Sequence, residues 1–239
     1  MKIILDLLLI MRRSFLGNSL ARAWHLLAPS FSVPRTVWGL TFYFDFRDNP
    51  IWWWSSADRI EHCEAVLDML PTFKGTIWDV GSNVGVVAVR SAALGHHVVA
   101  FDISRKALDL LRKSAVKNNL KIETVNRAFS THSFSYKPPK SADTENAVHS
   151  SIYGSARSIT FLEAAELFPL PNLLKMDIEG GEEEFLDCPE FKEWLRDNAI
   201  LWVVEFHSPT FTKNLWNDCE TKMIDQSHYA IRVLKNKQP

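Results

Sequence analysis

The stretch Asp79-Val-Gly81-Ser-Asn83-Val-Gly85 constrains this chain more than any other. A strand-like apolar run, Thr76–Val80 (TIWDV), leads into it, and a helical pattern, Val84–Leu94, leaves it. Gly81 and Gly85 let the chain turn tightly and let a ligand approach the backbone. The helix start supplies free N–H groups. In parallel α/β sheets, a turn of this kind at the C-terminal edge of the first strand is where cofactors bind. The spacing is not that of a phosphate clamp. A dinucleotide fingerprint needs G-x-G-x-x-G, and here three residues separate the glycines. No Gly-Lys-Ser/Thr follows. Asp79 at the head of the loop would repel a pyrophosphate and attract an ammonium group. Asp102 closes the next strand candidate, His97–Phe101 (HVVAF), where a carboxylate can accept hydrogen bonds from both hydroxyls of a ribose. A ligand with a ribose and a charged amino-acid tail but no phosphate is S-adenosylmethionine. The plainer alternative is a structural glycine turn in a non-catalytic α/β domain, with both acids as solvated strand ends.

The same alternation continues downstream. Arg105–Asn118 reads as a helix, Ile122–Val125 as a third strand, Leu173–Met176 as a fourth and Glu182–Leu195 as a helix. Ile200–Phe206 and Tyr229–Leu234 read as a fifth and a sixth strand. Near-continuous apolar strands alternating with helices predict an α/β fold, a doubly wound and mostly parallel sheet of Rossmann-like type covered on both faces. The polar stretch 132–157 interrupts the rhythm as an irregular insertion or flexible loop, and Thr160–Phe168 follows as a short helix. Residues 1–56 form an N-terminal helical and β extension, with helical segments in 1–28 and a strand or hairpin arm at Val37–Phe46; the domain proper spans 57–239 and opens on a helix at 57–70. Trp52, Trp53 and Trp54 cannot all face one core, so part of that run is a core contact or an exposed patch for an acceptor or a second copy of the chain.

Lys and Arg sum to 27 and Asp and Glu to 28, a net charge of −1. That balance argues against a nucleic-acid partner, and no basic-aromatic stripe stands out in the sequence. Three scattered cysteines, without a C-x-x-C pair, fit a reducing, cytoplasmic setting. The apolar run Ile3–Met11 is too short to span a bilayer; it suggests a packed amphipathic helix, with weak peripheral membrane association as the lesser reading.

Asp79–Asp102 (DVGSNVGVVAVRSAALGHHVVAFD) resembles the first two motifs of class I methyltransferases, and Leu173–Leu186 (LLKMDIEGGEEEFL) resembles the LKIDVEGAE signature of the FkbM-type family. Val203–His207 (VVEFH) is similar to that family's fifth strand. The resemblance implies a sheet of strand order 3-2-1-4-5-7-6, S-adenosylmethionine as methyl donor and hydroxyl acceptors on sugars or natural products. It places Asp79, Gly81, Ser82, Asn83 and Gly85 in the cofactor loop, Asp102 on the ribose and Asn126 near the adenine. Ser82 and Gly181 stand where the family commonly has alanine. The resemblance also leaves little room for both strands of the closing hairpin after residue 234.

Methyl transfer needs the acceptor in line with the sulfonium, and an alcohol acceptor must lose a proton. Asp177, Glu179, Glu205 and His207 sit at the ends of the fourth and fifth strands and are the candidate catalytic groups. Asp177 would lie by the methyl or the charged end of the cofactor, Glu179 and His207 would act as bases, and Glu205 would orient the acceptor. A helix cap for Glu179 and a local hydrogen bond for His207 are the plainer alternatives. Lys175 shares the strand face of Asp177 and reads as a snorkelling lysine or as part of a Lys–acid set. Glu182, Glu183 and Glu184 read as a solvated face of a first helical turn. No metal is invoked. The expectation is an S-adenosylmethionine-dependent O-methyltransferase acting on a small hydroxylated molecule, a carbohydrate or lipid-linked one included. An RNA ribose or protein methyltransferase and a non-catalytic scaffold are the rivals.

Overall fold

The computed structural model describes residues 27–49, 68–69, 74–136, 156–178, 181–206, 216–224 and 228–234. The segments 1–28 (all but its last two residues), Trp52–Trp54, most of the 57–70 helix and 137–155 lie outside the described residues, as do Glu179 and His207. Five parallel strands carry the molecule: β3 (Thr76–Val80), β4 (His97–Phe101), β5 (Glu123–Val125), β9 (Leu173–Met176) and β10 (Leu201–Glu205). With β11 (Cys219–Met223) and β12 (His228–Val233) they form one seven-stranded sheet, β11-β12-β10-β9-β3-β4-β5. Counted along that sheet from the first parallel strand, the order is 3-2-1-4-5-7-6, as the resemblance implied. The predicted sixth strand is in fact the seventh. The sixth is the polar CETKM run, antiparallel to β12 and exposed along most of its length. Edge position explains its composition, since only inner strands need apolar residues on both faces.

The two faces differ in kind. One is aromatic: Trp78, Phe101, Phe129 and Trp202 meet Phe161 of α3 (Phe161–Leu167), Phe185 of α4 (Glu183–Leu186) and Phe191 and Trp194 of α5 (Pro189–Asp197). The Trp78 indole N–H donates to the Pro169 carbonyl at 3.0 Å, so the ring is buried without an orphaned donor. The other face is aliphatic: Ile77, Leu173 and Val203 meet Val86, Val87 and Val89 of α1 (Val86–Ala93) and Leu110 of α2 (Arg105–Lys117). The helix predicted over 182–195 is two helices. Pro189 begins the second, and Cys188 before it is extended, because a residue preceding proline is driven out of the helical region. Thr160 opens α3 with a full capping box to Glu163.

The arm predicted at 37–46 is a hairpin, β1 (Ser32–Val37) and β2 (Leu40–Asp45), turning at Trp38 and Gly39 with φ of 53° and 73°. Positive φ at both central residues is what a two-residue hairpin turn demands. Phe42 and Phe44 enter the aliphatic face. The free edge of β2 is closed by α2: Asn118 Oδ1 accepts the Thr41 N–H at 2.9 Å, its Nδ2 donates to the Thr41 carbonyl at 2.7 Å, and Ser114 Oγ accepts the Tyr43 N–H at 2.9 Å. The 132–157 stretch contributes strands of its own. β6 (Ala128–Ser130), β7 (Ser135–Tyr136) and β8 (Ala156–Thr160) make a second, three-stranded sheet in the order β6-β8-β7.

Asn118→Ala removes both side-chain bonds to Thr41, and each buried backbone group left unpaired costs about 1–3 kcal/mol. The expected outcome is a fall in unfolding free energy of that order, with amide exchange accelerated across 40–45 and unchanged in β3 and β9. Chemical denaturation and hydrogen exchange measure both.

Candidate active site

The glycine loop lies where β3 ends. Gly81, Asn83 and Gly85 have φ of 69°, 50° and 83°, all left-handed. The Gly81 and Ser82 N–H groups both donate to the Phe101 carbonyl at 3.0 Å, which ties the loop to the end of β4. A Cβ on Gly81 would stand 1.7 Å from the Asp177 carbonyl oxygen. The loop and the end of β9 are therefore in van der Waals contact, an approach that only glycine permits. Gly85 abuts Leu111 of α2 in the same way.

Beneath the loop lies an ion pair. Asp79 and Lys175 are register partners on β3 and β9 and share the aliphatic face. Lys175 Nζ is 3.2 Å from Asp79 Oδ1 and 3.8 Å from Asp177 Oδ2, and it donates to the Gly81 carbonyl at 3.0 Å. Asp79 is 1% exposed and Lys175 7%. Lys175 is thus no snorkelling side chain; its charge is held under the loop. Burial also moves the role expected of Asp79. It supports the loop from below, and the acid that reaches the open surface is Asp177, whose side chain is 29% exposed.

Asp102 faces the loop from β4. Its Oδ2 accepts the Asn83 N–H and its Oδ1 the Ser104 N–H, both at 2.7 Å. Each oxygen keeps a further lone pair, one for each hydroxyl of a ribose. Burial pushes its carboxyl above the ordinary aspartate range, against the pull of the two N–H groups and Lys175. Asn126 donates from Nδ2 to the Asp102 and Ile103 carbonyls at 3.0 and 2.9 Å, so it braces the ribose acid. Ser82 is buried, and its hydroxyl has no partner among the described residues. The residues fit S-adenosylmethionine: a loop pressed onto β9, a carboxylate with two acceptor positions to spare and an open acid at the far side.

Beyond Asp177 the chain is held by a group the sequence reading misplaced. Glu182 is 1% exposed, and its Oε1 accepts the Ile178 N–H at 2.8 Å. Glu184 accepts the Thr131 N–H at 3.1 Å. Only Glu183 of the three glutamates has the expected exposed setting. No sequence signal marked either bond, since both partners, Ile178 and Thr131, lie outside the helix that carries the glutamates. Glu205 ends β10 one register step past the Val204–Met176 pair, beside Asp177 and on the face of Val203 and Lys175. Among the described residues no group of three or more His, Cys, Asp or Glu is placed to hold a metal ion.

Lys175→Met leaves Asp79 as an uncompensated buried charge, a defect worth about 3–5 kcal/mol. The expected result is a markedly lower melting temperature, much of it recovered in the double variant Lys175→Met/Asp79→Asn. A single variant as stable as the parent would remove the pair from its supporting role.

Residues 55–137 match the family model described as the methyltransferase small domain, about a third of the chain. No curated protein matches the chain in sequence. Among solved structures, TYW2 of M. jannaschii in complex with AdoMet shares 13% identity over 86% of each chain, with a TM-score of 0.50. The tRNA (uracil-54, C5)-methyltransferase of Pyrococcus abyssi shares 14% identity over 84% of this chain and 43% of its own, TM-score 0.45. The 16S rRNA N2 G1207 methyltransferase of T. thermophilus shares 11% over 88% and 52%, TM-score 0.49. The chain spans only 43–57% of three of the structures it matches. The expected small hydroxylated acceptor and the expectation against nucleic acid are corrected on this finding, since two of these neighbours are named for tRNA and 16S rRNA. Nothing in the structure supports the expected peripheral membrane association: the segment that suggested it lies outside the described residues, and no helix among them is long and apolar enough to cross a membrane. The family match falls on the part of the sheet that carries the glycine loop and the ribose acid, and the chain has the class I, Rossmann-like fold of the methyltransferases it resembles.

Proposed function

We propose that this chain transfers the methyl group of S-adenosylmethionine to an oxygen or nitrogen on a macromolecule, RNA or protein. The observation that carries the reading is the line of charged groups across one sheet face: Asp79 and Lys175 under the loop, then Asp177 and Glu205 side by side at the rim. The buried pair fixes the loop. Asp177, with part of its carboxylate at the surface, and Glu205 beside it would face the donor's ammonium group and the acceptor. The acceptors named by the RNA-modifying neighbours support a macromolecule over a free sugar.

When bound, S-adenosylmethionine supplies an electrophilic methyl on a positively charged sulfur. Asp102 would hold the ribose, with Asn126 and Ser104 keeping the carboxylate in place. Gly81 and Asn83 would pass close under the donor. Asp177 is the open carboxylate nearest the loop and would meet the ammonium group or the acceptor N–H or O–H. Glu205, next to it, is the second acceptor-facing carboxylate and can take or orient the proton that the attacking atom loses. We also read the chain as FkbM-like, on the strength of the Leu173–Leu186 run.

Asp102 must be ionised to accept from both ribose hydroxyls. Because burial raises its pKa, cofactor affinity is expected to weaken on acidification at a pH above the ordinary aspartate range, and to be full on the alkaline side. Calorimetric titration across pH tests this; Asp102→Asn should bind weakly with the pH dependence flattened.

Tritiated methyl transfer to total RNA and total protein, followed by ribonuclease or protease, tests the activity. Label released by one of the two digestions is expected, and Asp177→Asn should lower turnover about 10²-fold or more. Tight cofactor binding with label confined to small molecules would overturn the macromolecular acceptor.

A further inference from the structure

The small sheet beside the cofactor site carries cations that have no carboxylate partner. β6 and β8 run parallel, with Ala128 opposite Ser158. Arg127, just before β6, and Arg157, on β8, each stand one residue ahead of that pair and are neighbours, and both are exposed. Arg127 donates only a long bond, 3.5 Å, to the Ser158 carbonyl. Arg105, exposed at the start of α2, follows two residues after Ile103, whose carbonyl, like that of Asp102, accepts from Asn126, the residue before Arg127. None of the three arginines makes an ion pair among the described residues, whereas Arg47, Lys106, Arg112, Lys175, Lys192 and Arg196 all do. The carboxylates near the strip are taken. Glu163, which feels the Arg127 charge, accepts the Thr160 N–H and hydroxyl, and Glu184 accepts the Thr131 N–H.

Two rings extend the strip. Phe134 is 38% exposed and lies 5.5 Å from the exposed His132 ring, at an interplanar angle of 43°. The Phe134 backbone is fastened to the neighbour of Arg157: its N–H donates to Ser158 Oγ at 2.6 Å, and its carbonyl accepts the Ser158 N–H at 2.9 Å. Unpaired arginines beside exposed rings on a fixed backbone are the equipment of a single-strand binder, in which guanidiniums track phosphates and rings stack on bases. A net charge of −1 does not oppose this, because the carboxylates nearest the strip, Glu163 and Glu184, are bonded to backbone N–H groups.

We propose that Arg105, Arg127, Arg157, His132 and Phe134 form a docking strip for a single-stranded RNA segment, which leads the target nucleotide to the rim at Asp102 and Asp177. The proposal rests on the methyl-transfer reading above and narrows its acceptor to RNA. An acidic peptide would be drawn to the arginines but has no base to place on the rings.

The test is fluorescence anisotropy with a labelled single-stranded RNA of about 12 nucleotides, alongside an acidic peptide of equal charge. RNA binding should weaken with salt, at a log–log slope of about −0.7 per phosphate contact. Arg127→Glu/Arg157→Glu should weaken it at least tenfold and flatten the slope, and Phe134→Ala should weaken it about tenfold without changing the slope. S-adenosylmethionine binding by these variants, followed by calorimetry, should be unchanged and so shows that they fold. RNA affinity that survives charge reversal, or peptide binding equal to that of RNA and equally sensitive to Phe134→Ala, overturns the strip. Failure of the two readings separates cleanly: labelled RNA with an unaltered KM in the charge-reversed protein sinks the strip alone, and strip-dependent RNA binding with no methyl transfer sinks the activity alone.

Discussion

A buried lysine holds this site together. Lys175 lies between two parallel strands, on the face that is otherwise valine, leucine and isoleucine, and a cation is costly there. It is tolerated because Asp79 stands opposite it in register and because the loop turns its carbonyls inward over it. Each partner makes the other permissible. The loop gains a fixed floor, and the ends of β3 and β9 gain a common charge centre that reaches Asp177 at the surface. Specificity of arrangement, more than stability, is what such a pair supplies, since an apolar pair of equal volume would pack with less loss of hydration.

The geometry above the pair follows from it. The loop can press onto the Asp177 carbonyl only because residue 81 has no side chain, and it can stay there only because two of its N–H groups are fastened to the end of β4. The Asn83 N–H then lands on Asp102. Three strand ends thus meet around one small volume: β3 through the loop, β4 through the ribose acid and β9 through the open aspartate. The aromatic face on the far side, with Trp78 and Trp202 at its centre, keeps the strands in register without taking part.

Most of this was legible where pattern and local chemistry coincide. Five parallel strands announce themselves because inner strands are apolar on both sides, and the glycines declare themselves because no other residue takes those angles beside a neighbouring strand. What was missed lacked such a signal. The CETKM strand is polar because it is an edge. The strand Ala156–Thr160 follows a polar stretch, and its alternation spans only five residues. Pro189 should have split the helix, but apolar periodicity on both sides masked the break. Glu182 looked solvated because neighbouring glutamates are usually so, and only the tertiary position of Ile178 reveals its partner. Lys175 was placed on the right face, but alternation cannot tell a lysine that reaches water from one that stops under a loop.

Net charge misled for a related reason. A sum over the chain counts every carboxylate equally, yet a partner meets only those left free at the surface. Asp79 is committed to a buried lysine, Asp45 and Asp48 to Lys106, Asp218 to Lys192, and Glu163, Glu182 and Glu184 to backbone N–H groups. Arginines escape that pairing along one short edge, next to the acid that would hold the ribose. A long polyanion can therefore approach a chain of near-zero net charge from that side, while the open carboxylates Asp177 and Glu205 repel its phosphates from the other. On the docking proposed above, such opposed fields would orient the polymer: its backbone would lie beside the cofactor's ribose, and an uncharged part of a nucleotide, such as a base edge or a ribose hydroxyl, would enter between the acids.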